Sequence, residues 1–273
     1  MANPLIDDGD SILQRLVPGT ARPVLVADFQ AFSSAPRLSQ LVSSRAEGRP
    51  VYQVDPLAAL SQDRPYISLA DLAAEAAGLF ARSQPADGPA FVIGYCSAAA
   101  LSVHIATLLA RSRKATAVLL RPTWPDSTFI EEEFATLAAN LGGRQPPCPE
   151  LDGDPGRCVQ RMEELLRAEL EILVAGQGLD GADDPFGELL LTYRSWLAFL
   201  LACRNDSLAD WADGTAAVTV LTEGRDGVAV PGLPPGGFEV CPLPALDTDN
   251  PITPEVAELL VAQITPGEQQ PAA

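Results

Sequence analysis

The sequence predicts a doubly wound, mostly parallel α/β sheet with a helical segment inserted late in the chain. Three observations lead there. Short apolar runs alternate with amphipathic stretches through the first half of the chain. The runs lack the polar/apolar alternation of a half-exposed strand, as expected inside a sheet covered on both faces. From residue 127 to residue 210, helical patterns follow one another with no strand between them. With 273 residues, 47% of them apolar, the chain can build one large domain with a sizeable core.

Taken in order, Pro23 to Ala27 (PVLVA) and Pro50 to Val54 (PVYQV) read as buried strands, with a helix over Pro36 to Ala46 between them. Ser68 caps a helix that runs to Arg82, in which Leu69, Leu72, Ala73, Ala76, Leu79 and Phe80 recur at helical spacing. The turn Pro85-Ala-Asp-Gly-Pro89 leads into a strand over Ala90 to Ile93, a helix from Ser97 to about Arg111, and a strand over Ala115 to Leu120 (ATAVLL) closed by Pro122. In the insertion, Cys158 to Val174 and Phe186 to Cys203 are helices set apart by Gly/Pro/Asp-rich stretches. Ala216 to Thr222 (AAVTVLT) resumes the sheet and Gly237 to Leu243 (GFEVCPL) is the last strand. Pro254 to Ile264 is a closing helix with proline in its first turn. The expected organisation is a sheet core of residues 1–126 and 211–266, a helical lid of residues 127–210, and a disordered tail of residues 267–273.

The net charge of −18 argues against nucleic acid or an anionic membrane as partner, since both would be repelled. The nearest thing to a basic patch, Arg111-Ser-Arg-Lys114, is a charge cluster of the kind that ends helices. No N-terminal stretch combines a basic start, an apolar segment and a cleavage site, so the cytoplasm is the expected location. The uncharged stretch from Ala90 to Ala110 changes character halfway and reads as a buried strand followed by a buried helix, not a membrane span. Five cysteines (Cys96, Cys148, Cys158, Cys203, Cys241) at irregular spacings, with one histidine in the chain, read as free thiols and predict no metal site.

Within this frame, Phe91 to Ala100 (FVIGYCSAAA) carries the strongest chemical pattern. A strand, a glycine, a potential nucleophile and small residues opening a helix are the parts of a nucleophile elbow, where the reactive side chain stands exposed on a strained turn. Small residues two before and two after it are needed because strand and helix approach closely. Gly94 and Ala98 meet that need around Cys96.

The stretch YISLADLAAEAAGLFARSQPADGPAFVIGYCSAAALSVHIATLLARSRKATAVLL resembles the central part of the α/β-hydrolase thioesterases associated with nonribosomal peptide and polyketide synthases. The likeness extends to Asp28-Phe-Gln30 where the oxyanion loop lies, to LLTYRSWLAFLLA before VTVLTEGRD, and to ITPEVAELLVAQI at the end. The resemblance implies an α/β-hydrolase fold with a helical lid. It also implies action on acyl or aminoacyl groups carried by phosphopantetheine on a partner acyl or peptidyl carrier protein, with synthase modules as partners. The family's nucleophilic serine falls on Cys96. Its triad acid falls on Arg121, where the charge is reversed, and its histidine falls near Thr248, between Asp247 and Asp249. His104, eight residues into the elbow helix, lies more than two turns from the nucleophile and does not restore the triad.

Cysteine can work where serine cannot. A free thiol, with a pKa of about 8.5, is a few per cent thiolate at neutral pH, and a helix N-terminus or a nearby cation raises that share. Arg121 is the expected stabiliser of the thiolate or substrate. Hydrolysis of an acyl-cysteine needs a positioned base, whereas passing the acyl group to another thiol needs much less, so transfer through a Cys96 thioester is favoured. The oxyanion donors would be the backbone N–H of Ser97 with that of Phe29 or Gln30. Asp247 is the carboxylate nearest the lost histidine. Asp126, Asp249, Glu223 and Asp226 are further acids at strand ends, where loop capping is the ordinary role. Tyr193, Trp196 and Leu200, with Phe199, Trp124 and Trp211, would line an acyl pocket or simply form lid core. Arg37, Arg45, Arg64 and Arg194 are the candidate docking groups for an acidic carrier protein. Two other readings stand beside transfer: a catalytically inactive binding protein of this fold, and an α/β-hydrolase repurposed for a reaction such as cyclisation.

Overall fold

A computed structural model describes residues 11–29, 37–60, 63–84, 88–141, 146–177, 186–206, 216–224, 228–243 and 252–264. The chain divides into two units, one of residues 1–56, 70–123 and 207–273, the other of residues 57–69 and 124–206.

The first unit is a seven-stranded sheet: β1 (Leu13–Val17), β2 (Val24–Ala27), β3 (Val51–Val54), β4 (Ala90–Tyr95), β5 (Ala115–Leu120), β6 (Ala217–Thr222) and β7 (Glu239–Pro242). The spatial order is β1-β3-β2-β4-β5-β6-β7. Only β1 runs antiparallel to its neighbour. Strands β2 to β5 are apolar and almost fully buried, as two-sided cover requires. On one face, Val24, Val26, Val51, Phe91, Ile93, Val118 and Leu120 pack against α1 (Leu38–Ser43) and α8 (Pro254–Gln263) through Leu38, Val42, Val256 and Leu260. The opposite face carries α3 (Leu69–Ser83) and α4 (Ala98–Ala110). There Tyr52 meets Phe80 edge-on at 5.3 Å, and α4 lies across β2, β4 and β5. After β3 the chain returns to the other side of β2 to lay down β4. This reversal is the switch point at which open α/β sheets expose their binding crevice.

Strand β1 was not expected from the sequence. It is an edge strand, its Gln14 and Arg15 are exposed, and a register irregularity follows Arg15, so no apolar run marks it. Strand β4 runs two residues beyond Ile93, to Tyr95. Helix α1 ends at Ser43, short of Ala46. Thr253 caps α8 by accepting from the Val256 N–H, with Pro254 in the first position.

The second unit is helical: the end of α2 (Pro56–Ala59), then α5 (Ser127–Asn140), α6 (Pro155–Gln177) and α7 (Gly187–Asn205). Helix α7 is buried from Tyr193 to Cys203 and packs against α5 and α6. Arg204 ties its end down, donating to Ser127 Oγ (3.0 Å) and the Leu151 carbonyl (3.0 Å) and pairing with Asp152. The unit also takes in residues 57–69, which the sequence reading left in the sheet core. Ser195 Oγ on α7 donates to the Leu60 carbonyl at 2.8 Å, across 135 positions of sequence. Among the described residues, no helix is long and apolar enough to cross a membrane.

Asp28, directly after β2, is 3% exposed. Its Oδ2 accepts the Ser39 N–H in α1 (2.7 Å), while its Oδ1 is buried without a partner. Burial pushes its carboxyl up to about 6, offset by the bond to Ser39 and by Arg37, with Asp55 adding to the rise. Between pH 3.8 and about 6 the folded chain therefore keeps a proton that the unfolded chain has released, and this group's contribution to stability falls as pH rises through that window. Asp28→Asn keeps an acceptor for Ser39 and removes the buried charge. The variant should be more stable than the wild type at pH 7 by up to about 3 kcal/mol, with the difference shrinking towards pH 4 in paired thermal melts. A variant less stable than wild type at pH 7 would contradict the buried-charge account.

Candidate functional site

The turn between β4 and α4 occupies two residues, Cys96 and Ser97. Cys96 has φ 53°, a left-handed backbone that costs a non-glycine residue of order 1–3 kcal/mol. The turn is held by backbone hydrogen bonds at both ends of Cys96. Its N–H donates to the Leu120 carbonyl (3.1 Å), and its carbonyl accepts from Ala99 (3.1 Å) and Thr123 (3.2 Å). A Cβ on Gly94 would stand 2.9 Å from the Ala99 Cα and 2.8 Å from the Ser102 Cβ, and closer still to Ser102 Oγ, so only glycine lets helix and strand approach this far. Ser102 Oγ donates to the Ile93 carbonyl (3.2 Å), a second fastening between α4 and β4. The elbow expected from FVIGYCSAAA is thus formed, with Cys96 half-buried at the C-terminal end of a central strand.

The Cys96 thiol donates to Thr123 Oγ1 at 3.5 Å and lies 3.8 Å from Ser97 Oγ. Thr123 was not found from the sequence, because its contact depends on how the chain leaves β5. Arg121, at the end of β5, also has a left-handed backbone (φ 44°). Its N–H donates to the Leu221 carbonyl (2.9 Å), and its guanidinium is ion-paired with Glu223 just past β6. Burial pushes the Tyr95 phenol up, the charge of Cys96 adds to the rise, and Arg121 offsets it. Tyr95, Cys96 and Arg121 therefore share one electrostatic neighbourhood.

The remaining sequence candidates fall into three groups. Ser97 is fully buried at the start of α4, and Phe29 follows Asp28, level with Cys96 in the register that pairs Ala27 with Gly94. Gln30, Asp226, Asp247, Asp249 and Trp211 lie outside the described residues. The others have other placements. Asp126 caps α5, accepting from the Phe129 N–H at 2.8 Å. His104 is half-buried in α4, about 12 Å along the helix from Cys96 by rise per residue. Tyr193, Trp196 and Leu200 are buried within the helical unit, where Trp196 Nε1 donates to Glu133 Oε2 at 2.9 Å. Cys158 and Cys203 are buried in that unit too, and burial pushes the Cys148 thiol up to about 12, with Cys158 and Glu131 adding to the rise.

No protein family and no curated protein matches the sequence, but solved structures match the fold over nearly its whole length. The chain is similar to holo-AB3403, a four-domain nonribosomal peptide synthetase bound to AMP and glycine. The two are 16% identical with a TM-score of 0.58 over 96% of this chain, which spans 20% of that synthetase. It is similar to a hydrolase from Oleispira antarctica (13% identity, TM-score 0.55, covering 94% of this chain and 95% of that one). It is also similar to YbtT, a type II thioesterase from the yersiniabactin NRPS/PKS biosynthetic pathway (14% identity, TM-score 0.52, covering 93% and 96%). Together with the mostly parallel seven-stranded sheet, these likenesses establish the α/β-hydrolase fold.

The elbow's dependence on Gly94 is open to measurement. Gly94→Ala forces the added methyl against the Ala99 backbone, which cannot rotate away, and should destabilise the fold by about 1–3 kcal/mol in denaturant unfolding. Unchanged stability would show that α4 can move off β4.

Proposed function

We propose that the protein is a thioesterase-like enzyme that takes acyl or aminoacyl groups from phosphopantetheine on a carrier protein and passes them to a second thiol through a Cys96 thioester. The observation that carries this reading is the elbow: a cysteine held in left-handed backbone just before α4, at the C-terminal end of a central strand. The similarity in fold to a nonribosomal peptide synthetase and a type II thioesterase supports the choice of substrate class.

In the first half-reaction the Cys96 thiolate attacks the thioester carbonyl. The carbon–sulfur bond to phosphopantetheine then breaks, and the departing thiolate takes up a proton equivalent to the one that Cys96 released. An acceptor thiolate reverses the sequence, and Cys96 leaves. Because thioester is exchanged for thioester, neither half needs a base to deprotonate water. The N–H groups of Ser97 and of Phe29 or Gln30 would hold the developing oxyanion. Asp247, the acid closest in sequence to where the resemblance puts the histidine, would be the carboxylate to act here, and Tyr193, Trp196 and Leu200, buried in the helical unit, would shape an acyl pocket or form the core of that unit. Of the arginines considered for carrier docking, Arg194 is 6% exposed and bonded towards Glu163, whereas Arg37 and Arg45 sit nearer the surface in pairs with Asp55 and Glu258.

Intact-mass spectrometry after incubation with acyl-carrier or small acyl thioesters should show one acyl adduct on the wild type and none on Cys96→Ala. Cys96→Ser should lose the adduct as well, because the described partners of the side chain at position 96 are the hydroxyls of Thr123 and Ser97, which are not bases. Wild-type protein that stays unmodified by every thioester while binding carrier protein equally well with and without Cys96 would favour an inactive binding protein instead.

A further inference from the structure

Arg121 stands at the end of β5 as Cys96 stands at the end of β4, since Tyr95 pairs with Leu120 in the parallel ladder. Leu120, directly before it, and Thr123, two residues after it, both hydrogen-bond the Cys96 backbone. Its guanidinium is nevertheless paired with a carboxylate, that of Glu223, whose side chain is 45% exposed against 22% for Arg121. The ladder register thus sets the Arg121 backbone beside that of Cys96, while its side chain is held by Glu223. A guanidinium already neutralised by one carboxylate stabilises a second anion less than a free one does. The other charged groups described at this end of the sheet are committed elsewhere. Asp28 is buried against Ser39, and Asp55 pairs with Arg37. The Tyr95 phenol, pushed up by burial, stays neutral near pH 7.

We propose that Glu223 is a charge gate for Cys96: paired with Arg121 it withholds the guanidinium from the thiolate, and its release to solvent hands that charge over and makes Cys96 a better nucleophile. The exposed carboxylate can leave its partner for water with little loss, so a carrier protein or substrate that displaces it would activate the thiol as it docks. The acyl-transfer reading gives this gate its use, but the charge coupling itself is measured without any acyl donor.

The test is alkylation of the full-length protein by iodoacetamide across pH 5.5 to 9, with peptide mapping to isolate Cys96 from the four other cysteines. Glu223→Gln, an isosteric change at an exposed side chain, should speed alkylation at pH 7 by about three- to tenfold and move the pH profile to lower pH. Arg121→Gln should slow it. In the Arg121→Gln background Glu223→Gln should have no further effect, while Arg121→Lys should keep the response. Glu223→Gln without effect, or with the same effect in both backgrounds, overturns the gate. If Arg121→Gln does not fold, Arg121→Asn, a residue that tolerates the left-handed backbone of this position, serves as the uncharged background for the same comparison. A full set of gate effects with no acyl adduct on any thioester would sink acyl transfer and leave the gate standing.

Discussion

The site rests on one close approach, that of α4 to the end of β4. With no side chain at Gly94, Ala99 and Ser102 come against the strand, and the chain reverses in two residues. That reversal forces Cys96 into left-handed backbone. The strain is offset by hydrogen bonds from three directions: Leu120 on the neighbouring strand, Ala99 in the new helix, and Thr123 beyond β5. The geometry of the thiol is therefore a property of four chain segments together, and the elbow ends a strand at the sheet switch point, where open α/β sheets place their ligands.

Features with a local cause were legible in the sequence. The buried strands show as uninterrupted apolar runs, and the elbow shows as small residues spaced two apart around a nucleophile. Helix α8 shows through proline at its start, and Asp126 through the preference of aspartate for helix caps. Features that depend on distant partners were not legible. Thr123 reaches the elbow because β5 lies beside β4, and Glu223, legible only as an acid at a strand end, reaches Arg121 because β6 lies beside β5. Residues 57–69 join the helical unit through Leu60 and Ser195, far apart in sequence. Asp28 is marked in the sequence only by its place in the oxyanion-loop resemblance, and its burial depends on α1, which supplies Ser39. Strand β1 hides for a different reason: an edge strand with exposed Gln14 and Arg15 lacks the apolar run that marks the interior of the sheet.

The charge balance shapes the site as much as the fold does. With 36 acidic and 18 basic residues, a cation at the surface of this chain readily meets a carboxylate. Arg37, Arg45, Arg121, Arg194 and Arg204 each pair with one. Among the described residues, the cation next to Cys96 in the sheet, Arg121, is already engaged, unlike in a protein whose catalytic cleft carries a broad basic field. Chemistry that needs an anion stabilised at this crevice must draw on backbone N–H groups or on a guanidinium released from its partner.

The pairing of Arg121 with Glu223 also constrains how the chain can change over generations. An acidic residue at position 121 would stand against the Glu223 carboxylate and be repelled by it. Loss of Glu223 alone would instead strand a cation on a backbone whose φ of 44° few side chains tolerate. The two positions are therefore bound to change together: a substitution tolerated at one depends on which charge stands at the other.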